Sequence, residues 1–79
     1  MTLPRDVDGV TLVKALTRLG YRIVRQSGSH IRLQCGAPEH ALTVPAHRPL
    51  NIGTLAAILA EVSAKQAIDR DVLVDRLFG

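Results

Sequence analysis

The amino-acid sequence predicts an α+β fold: a three-stranded antiparallel sheet with helices packed on one face, in the order α-β-β-β-α, followed by a short extra C-terminal helix. Three observations predict it. Two runs of apolar residues recur at the spacing of a helix, one near each end of the chain. Between them lie three short stretches, one with β-branched residues, one cleanly alternating and one ended by a proline, separated by turn residues. Short turns between consecutive strands favour an antiparallel meander, and the two apolar helix stripes then need one sheet face to cover.

The elements follow in order. Asp8 is placed to cap a helix over about Gly9 to Leu19, in which Val10, Leu12, Val13, Leu16 and Leu19 supply the apolar positions and Gly20 stops the run. "YRIVRQ" reads as the first strand and Ser27-Gly28 as a turn. "HIRLQC" alternates, so Ile31, Leu33 and Cys35 face one way and His30, Arg32 and Gln34 the other. "GAPEH" reads as a second turn and "ALTVP" as a third strand that Pro45 ends. "AHRPLN" is a loop, and Asn51 can cap the next helix, with Leu55, Ile58, Leu59 and Val62 as its stripe. "SAKQA" is a weak connector that can also continue the helix. Asp69 can cap a last short helix, with Ile68 and Leu73 placed as a hydrophobic staple.

The chain has 79 residues, without repeats, low-complexity tracts or long linkers, so a single domain over 1–79 is expected. The α-β-β-β-α order is that of folds that bind double-stranded RNA, a dsRBD-like arrangement. It leaves His30, Arg32 and Gln34 on the open face of the sheet.

Net charge is +3, unevenly spread. Residues 1–48 hold seven Lys/Arg against three Asp/Glu, whereas residues 49–79 hold three against four. A basic half fits a polyanionic partner such as RNA or DNA, and equally an ordinary solvated face. One cysteine excludes an internal disulfide and a cysteine-built zinc site, which fits a reducing compartment. "MTLPRDVDG" does not read as a secretory leader, and no apolar run approaches bilayer length, so a cytoplasmic protein is expected. Tyr21 and Phe78 are the only aromatics, too few for the stacking platforms of common single-strand binders. No phosphate-loop or dinucleotide-binding pattern is present. No cofactor is expected.

His30 is the first candidate for chemistry. An exposed imidazole beside arginines can carry a proton near neutral pH. RNA supplies its own nucleophile, the ribose 2′-OH, and a general base that removes its proton lets the oxygen attack the adjacent phosphorus. Arginines can hold the charge gathering on phosphate oxygens. Arg25 and Arg32 are placed for this, and Ser27 and Ser29 can donate to phosphate. Gly28 lets the turn take positive φ. The alternative is that His30 is a plain surface residue. His40, in a turn beside Glu39, reads as decoration. His47, next to Arg48, is a second acid/base group, a phosphate contact or a loop-packing residue. A metal site from His30, Cys35, His40 and His47 is not expected, because the set mixes facing directions and matches no familiar ligand spacing. Cys35 points to the core.

Four ordered motifs carry a resemblance. "LVKALTRLGYRIVRQSGSHIRL" contains a helix ending in Leu-Gly-Tyr, followed by Arg-Gln-x-Gly-Ser-His. "LTVPAH", "GTLAAILAEV" and "DRDVLVDRL" follow in order. Over roughly residues 8–77 the chain resembles the HicA (YcfA-like) toxin family of bacterial toxin–antitoxin systems. The resemblance implies a dsRBD-like fold and an mRNA interferase, a ribonuclease that cleaves mRNA and stops translation. It implies that His30 is the essential residue, with Gly28 and Ser29 in the same motif. It also implies an antitoxin of the HicB type that covers the active face and masks His30. Many members carry a lysine just before the Gly-Thr-Leu helix start. "PLNIGTL" has none, and Arg48 is the candidate to replace it.

The expected function is therefore a metal-independent endoribonuclease. His30 is its general base, Arg25, Gly28, Ser29, Arg32 and Arg48 its RNA contacts, and His47 a secondary candidate. The alternative is a module of the same fold that binds RNA without cutting it or docks an antitoxin.

Overall fold

The structure, a computed structural model, describes residues 3–79. Its elements are α1 (Gly9–Arg18), β1 (Arg22–Ser27), β2 (His30–Gly36), β3 (Glu39–Pro45), α2 (Ile52–Gln66) and α3 (Arg70–Phe78). The three strands form one antiparallel sheet in the order β1-β2-β3. The expected α+β architecture, element order and meander are all present.

α1 buries Leu12, Val13, Ala15 and Leu16, while Val10 turns to solvent. Asp8 sits at its N-cap but makes no side-chain cap bond. The helix stops in a paired-carbonyl arrangement: Tyr21 N–H donates to the Leu16 carbonyl and Gly20 N–H to the Thr17 carbonyl. That is the Schellman pattern, with Gly20 at φ +113° taking the left-handed position. It aims Tyr21 straight into the core.

One face of the sheet is the core face. Ile31, Leu33 and Cys35 of β2 and Leu42 and Val44 of β3 are buried there against Leu12, Leu16, Leu55, Leu59 and Val62. Asn51 caps α2 by accepting from the Gly53 N–H at 2.8 Å. The "SAKQA" connector is helical as far as Gln66, and Ala67 closes the helix in a left-handed conformation, φ 54° and ψ 43°. Asp69 caps α3 by accepting from Asp71 N–H. α3 packs against both α1 and α2, burying Leu73 and Leu77, and Arg18 donates to the Leu77 carbonyl at 2.9 Å.

The N-terminal segment is tied to the loop that follows β3. Gly9 N–H donates to the His47 carbonyl at 3.0 Å, and Leu50 N–H to the Val7 carbonyl at 2.8 Å. The approach is close: a Cβ on Gly9 would lie 2.0 Å from the Pro45 carbonyl oxygen. α1 therefore begins against the end of β3.

Candidate functional site

His30 is the first residue of β2 and is exposed. It pairs with Ser27 on β1 and with Pro45 on β3, so it sits in the middle strand at one end of the sheet. Gly28 and Ser29 form the two-residue turn that precedes it. Gly28 has φ +56° and Ser29 does not share the positive sign, the pattern of a type II′ hairpin turn. A Cβ at Gly28 would meet nothing within 4 Å, so backbone conformation, not space, asks for glycine there. The Ser29 carbonyl accepts from Ala46 N–H at 2.6 Å, which fastens the turn to the segment just past β3. His47 follows directly, exposed, with its carbonyl committed to Gly9.

Residues directly opposite each other in antiparallel strands share a face. Arg32 lies two residues along from His30, on the same open face, and donates to Thr43 Oγ1 at 3.0 Å. Arg25 pairs with Arg32. His30, Arg25, Arg32, Gly28 and Ser29 are thus gathered at one end and one face of the sheet. Arg48 is exposed on the neighbouring loop, one residue beyond His47, and makes no side-chain bond to this group. Among the described residues the one ion pair joins His40 to Glu61, so no carboxylate neutralises these arginines. Arg22, which the sequence reading passed over, pairs with Gln34 and lies on the same open face.

His40 corrects the sequence reading. The second turn is only Ala37 and Pro38, so His40 belongs to β3, opposite Cys35, and points into the core at 7% exposure. Its Nδ1 lies 2.6 Å from the Tyr21 hydroxyl and its Nε2 3.0 Å from Glu61 Oε2. Gln66 donates to the Tyr21 oxygen at 3.3 Å. The bonds fit one polarity: the amide of Gln66 donates to Tyr21, the phenol donates to Nδ1, and Nε2–H donates to the carboxylate. Burial raises the Tyr21 pKa above the usual range of a phenol; the Gln66 bond lowers it in part, and the charges of Cys35 and Glu61 raise it further. A signal for this was present in the sequence. Counting back by twos from Val44 and Leu42 places residue 40 on the buried face. The network lies on the helix side of the sheet, away from His30.

Cys35 is buried, as its alternation predicts. Among the described residues no group of three or more His, Cys, Asp and Glu side chains is placed to hold a metal ion. No helix among them is long and apolar enough to cross a membrane.

A fold that puts every helix behind one sheet face and leaves the other open, basic and marked by a histidine defines a class of small α+β proteins built around an exposed sheet. A family model described as HicA toxin of bacterial toxin–antitoxin matches residues 9–67, from the first residue of α1 to the residue that closes α2. The chain belongs to the HicA toxin family, and is therefore the toxin of a toxin–antitoxin pair whose other member is an antitoxin. No curated protein and no solved structure matches it.

Proposed function

We propose that the chain is a metal-independent endoribonuclease that cleaves mRNA and so inhibits translation, with His30 as its general base. The imidazole takes the proton of a ribose 2′-OH. The freed oxygen attacks the adjacent phosphorus, and the 5′-oxygen of the next nucleotide leaves with a proton returned by an acid. His30 itself, now protonated, can supply it, and His47 is the second candidate. The products are a 2′,3′-cyclic phosphate and a 5′-hydroxyl. Arg25 and Arg32 hold the non-bridging phosphate oxygens as charge gathers on them, where fixed donors act most strongly. Ser29 adds a hydroxyl donor. The turn at Gly28 lets the RNA backbone come close, and Arg48 extends the contact along the strand. An antitoxin of the HicB type covers this face and masks His30. The reaction takes place in the cytoplasm, where mRNA is.

One observation carries the reading: an exposed histidine on the same sheet face as a facing pair of arginines, with no carboxylate bonded to any of them. General acid–base groups contribute on the order of 100- to 10,000-fold. His30→Ala is expected to lose cleavage by at least about 100-fold while keeping the wild-type circular dichroism spectrum. The assay is RNA cleavage in EDTA by wild type and variant, with the product ends identified. A 5′-phosphate end, or activity restored only by a divalent metal, would sink the mechanism. If both proteins bind RNA and neither cuts, the chain is a binding module.

A further inference from the structure

β1 carries an irregularity. Ile23 pairs with Leu33 and Arg25 with Arg32, so Val24 is one residue too many, a β-bulge. In a regular strand Arg22 and Arg25, three residues apart, would point to opposite faces. With Val24 bulged out the alternation is reset, and both arginines lie opposite open-face residues: Arg22 against Gln34, Arg25 against Arg32. Bulges re-aim side chains in this way next to functional sites. Arg32, two residues from His30, and Gln34, four residues from it, mark positions roughly 7 and 13 Å along the sheet at about 3.3 Å per residue. All six residues of β1 are exposed, and none of the three arginines has a carboxylate partner.

We infer that the bulge at Val24 builds a phosphate track on the open face of the sheet, running from His30 past Arg32 and Arg25 to Arg22, and that Arg22 is a binding residue for the RNA backbone at a distance from the scissile bond. The inference rests on the proposed RNA substrate, not on the catalytic role of His30. The ligand is the phosphodiester chain of an RNA strand long enough to reach both ends. A track of arginines without aromatics reads charge and spacing, so Arg22 contributes affinity without base preference.

The test is the salt dependence of binding. A labelled single-stranded RNA of about 20 nucleotides and mixed sequence is titrated with His30→Ala protein from about 50 to 200 mM salt, where each phosphate contact to a single strand adds roughly 0.7 to the slope of log K against log salt. Adding Arg22→Gln is expected to flatten the slope by about 0.7, as Arg25→Gln and Arg32→Gln do, while Arg22→Lys restores it and Arg76→Gln on α3 leaves it unchanged. A slope that Arg22→Gln does not alter, or no RNA binding at the lowest salt, overturns the inference. Wild-type cleavage, assayed separately, keeps the two readings apart. If Arg22 flattens the slope but His30-dependent cleavage is absent, the track stands and the nuclease falls. If cleavage depends on His30 but Arg22 is inert, the nuclease stands and the track falls.

Discussion

Tyr21 and His40 show how much one buried polar pair can decide. With the proton on Nε2 of His40, the phenol has both its roles filled, donating to Nδ1 and accepting from Gln66. Removing the hydroxyl leaves Nδ1 without its donor inside the core, so Tyr21→Phe is expected to cost about 1–3 kcal/mol, the usual penalty for an unsatisfied buried group. The same residue sets an alkaline limit. Its pKa is raised by burial in the folded chain, so the unfolded chain ionises first, near the ordinary phenol value of about 10. Above that pH the unfolded state binds fewer protons than the folded state, and stability falls as pH rises. Urea unfolding on either side of about pH 10 should show this decline in wild type and a flatter one in Tyr21→Phe. Equal slopes in both would mean that the hydroxyl is not held as described. His30 follows from local alternation, and the sequence alone put it on the open face. His40 follows from the length of the second turn, and a turn read as five residues hid it.

At the scale of the elements, the helices were legible and their ends less so. The stripe Leu55, Ile58, Leu59 and Val62 specifies α2, and Asn51 caps it as read. What the stripe does not specify is how α2 stops. Ala67 takes the left-handed conformation that glycine normally fills at a helix end, at a strain of about 1–2 kcal/mol for a residue with a Cβ. Ala67→Gly is therefore expected to stabilise the fold by about 1 kcal/mol, and to raise Tm by roughly 4–8 °C for a chain of this size. An unchanged or lower Tm would show that the lost chain entropy of glycine outweighs the relieved strain. β1 is the converse case. Its β-branched residues mark a strand, but Ile23 and Val24 remain exposed: Val24 is the bulged residue, and α1 alone packs appreciably on β1, whereas the other edge strand, β3, is covered by both α1 and α2 and buries three side chains.

For the whole molecule, the layers assign the charges. β1 and β2 put Arg22, Arg25 and Arg32 on the open face, and the helices of the C-terminal half carry Glu61, Asp71 and Asp75. The open face thus holds three arginines against one acid, Glu39 opposite Gly36 at the far end of the sheet from His30, whereas the helices mix both signs, with Lys14, Arg18, Lys65, Arg70 and Arg76 beside those carboxylates. The family match ends at residue 67, yet α3 is part of the core: Leu73 is fully buried and Leu77 nearly so. Leu73→Ala is expected to destabilise by about 2–5 kcal/mol, a large share of the 5–15 kcal/mol that holds a small fold together. Thermal unfolding measures this directly. A loss under about 0.5 kcal/mol, the range of surface substitutions, would mean that α3 is an appendage and not a wall of the core.

The sequence by itself determined the order of the elements, the α+β class, the turn at Gly28 and the outward placement of His30. These are set by periodicity and turn chemistry, which act between residues close in the chain. Tertiary structure alone decided that Arg22 joins Arg25 on one face, that His40 bonds to Tyr21 and Glu61, and that Gly9 packs on Pro45. Each depends on register between segments distant in sequence. A single extra residue in β1 or a shorter turn before β3 changes which face a side chain occupies, and only the paired strands fix that register.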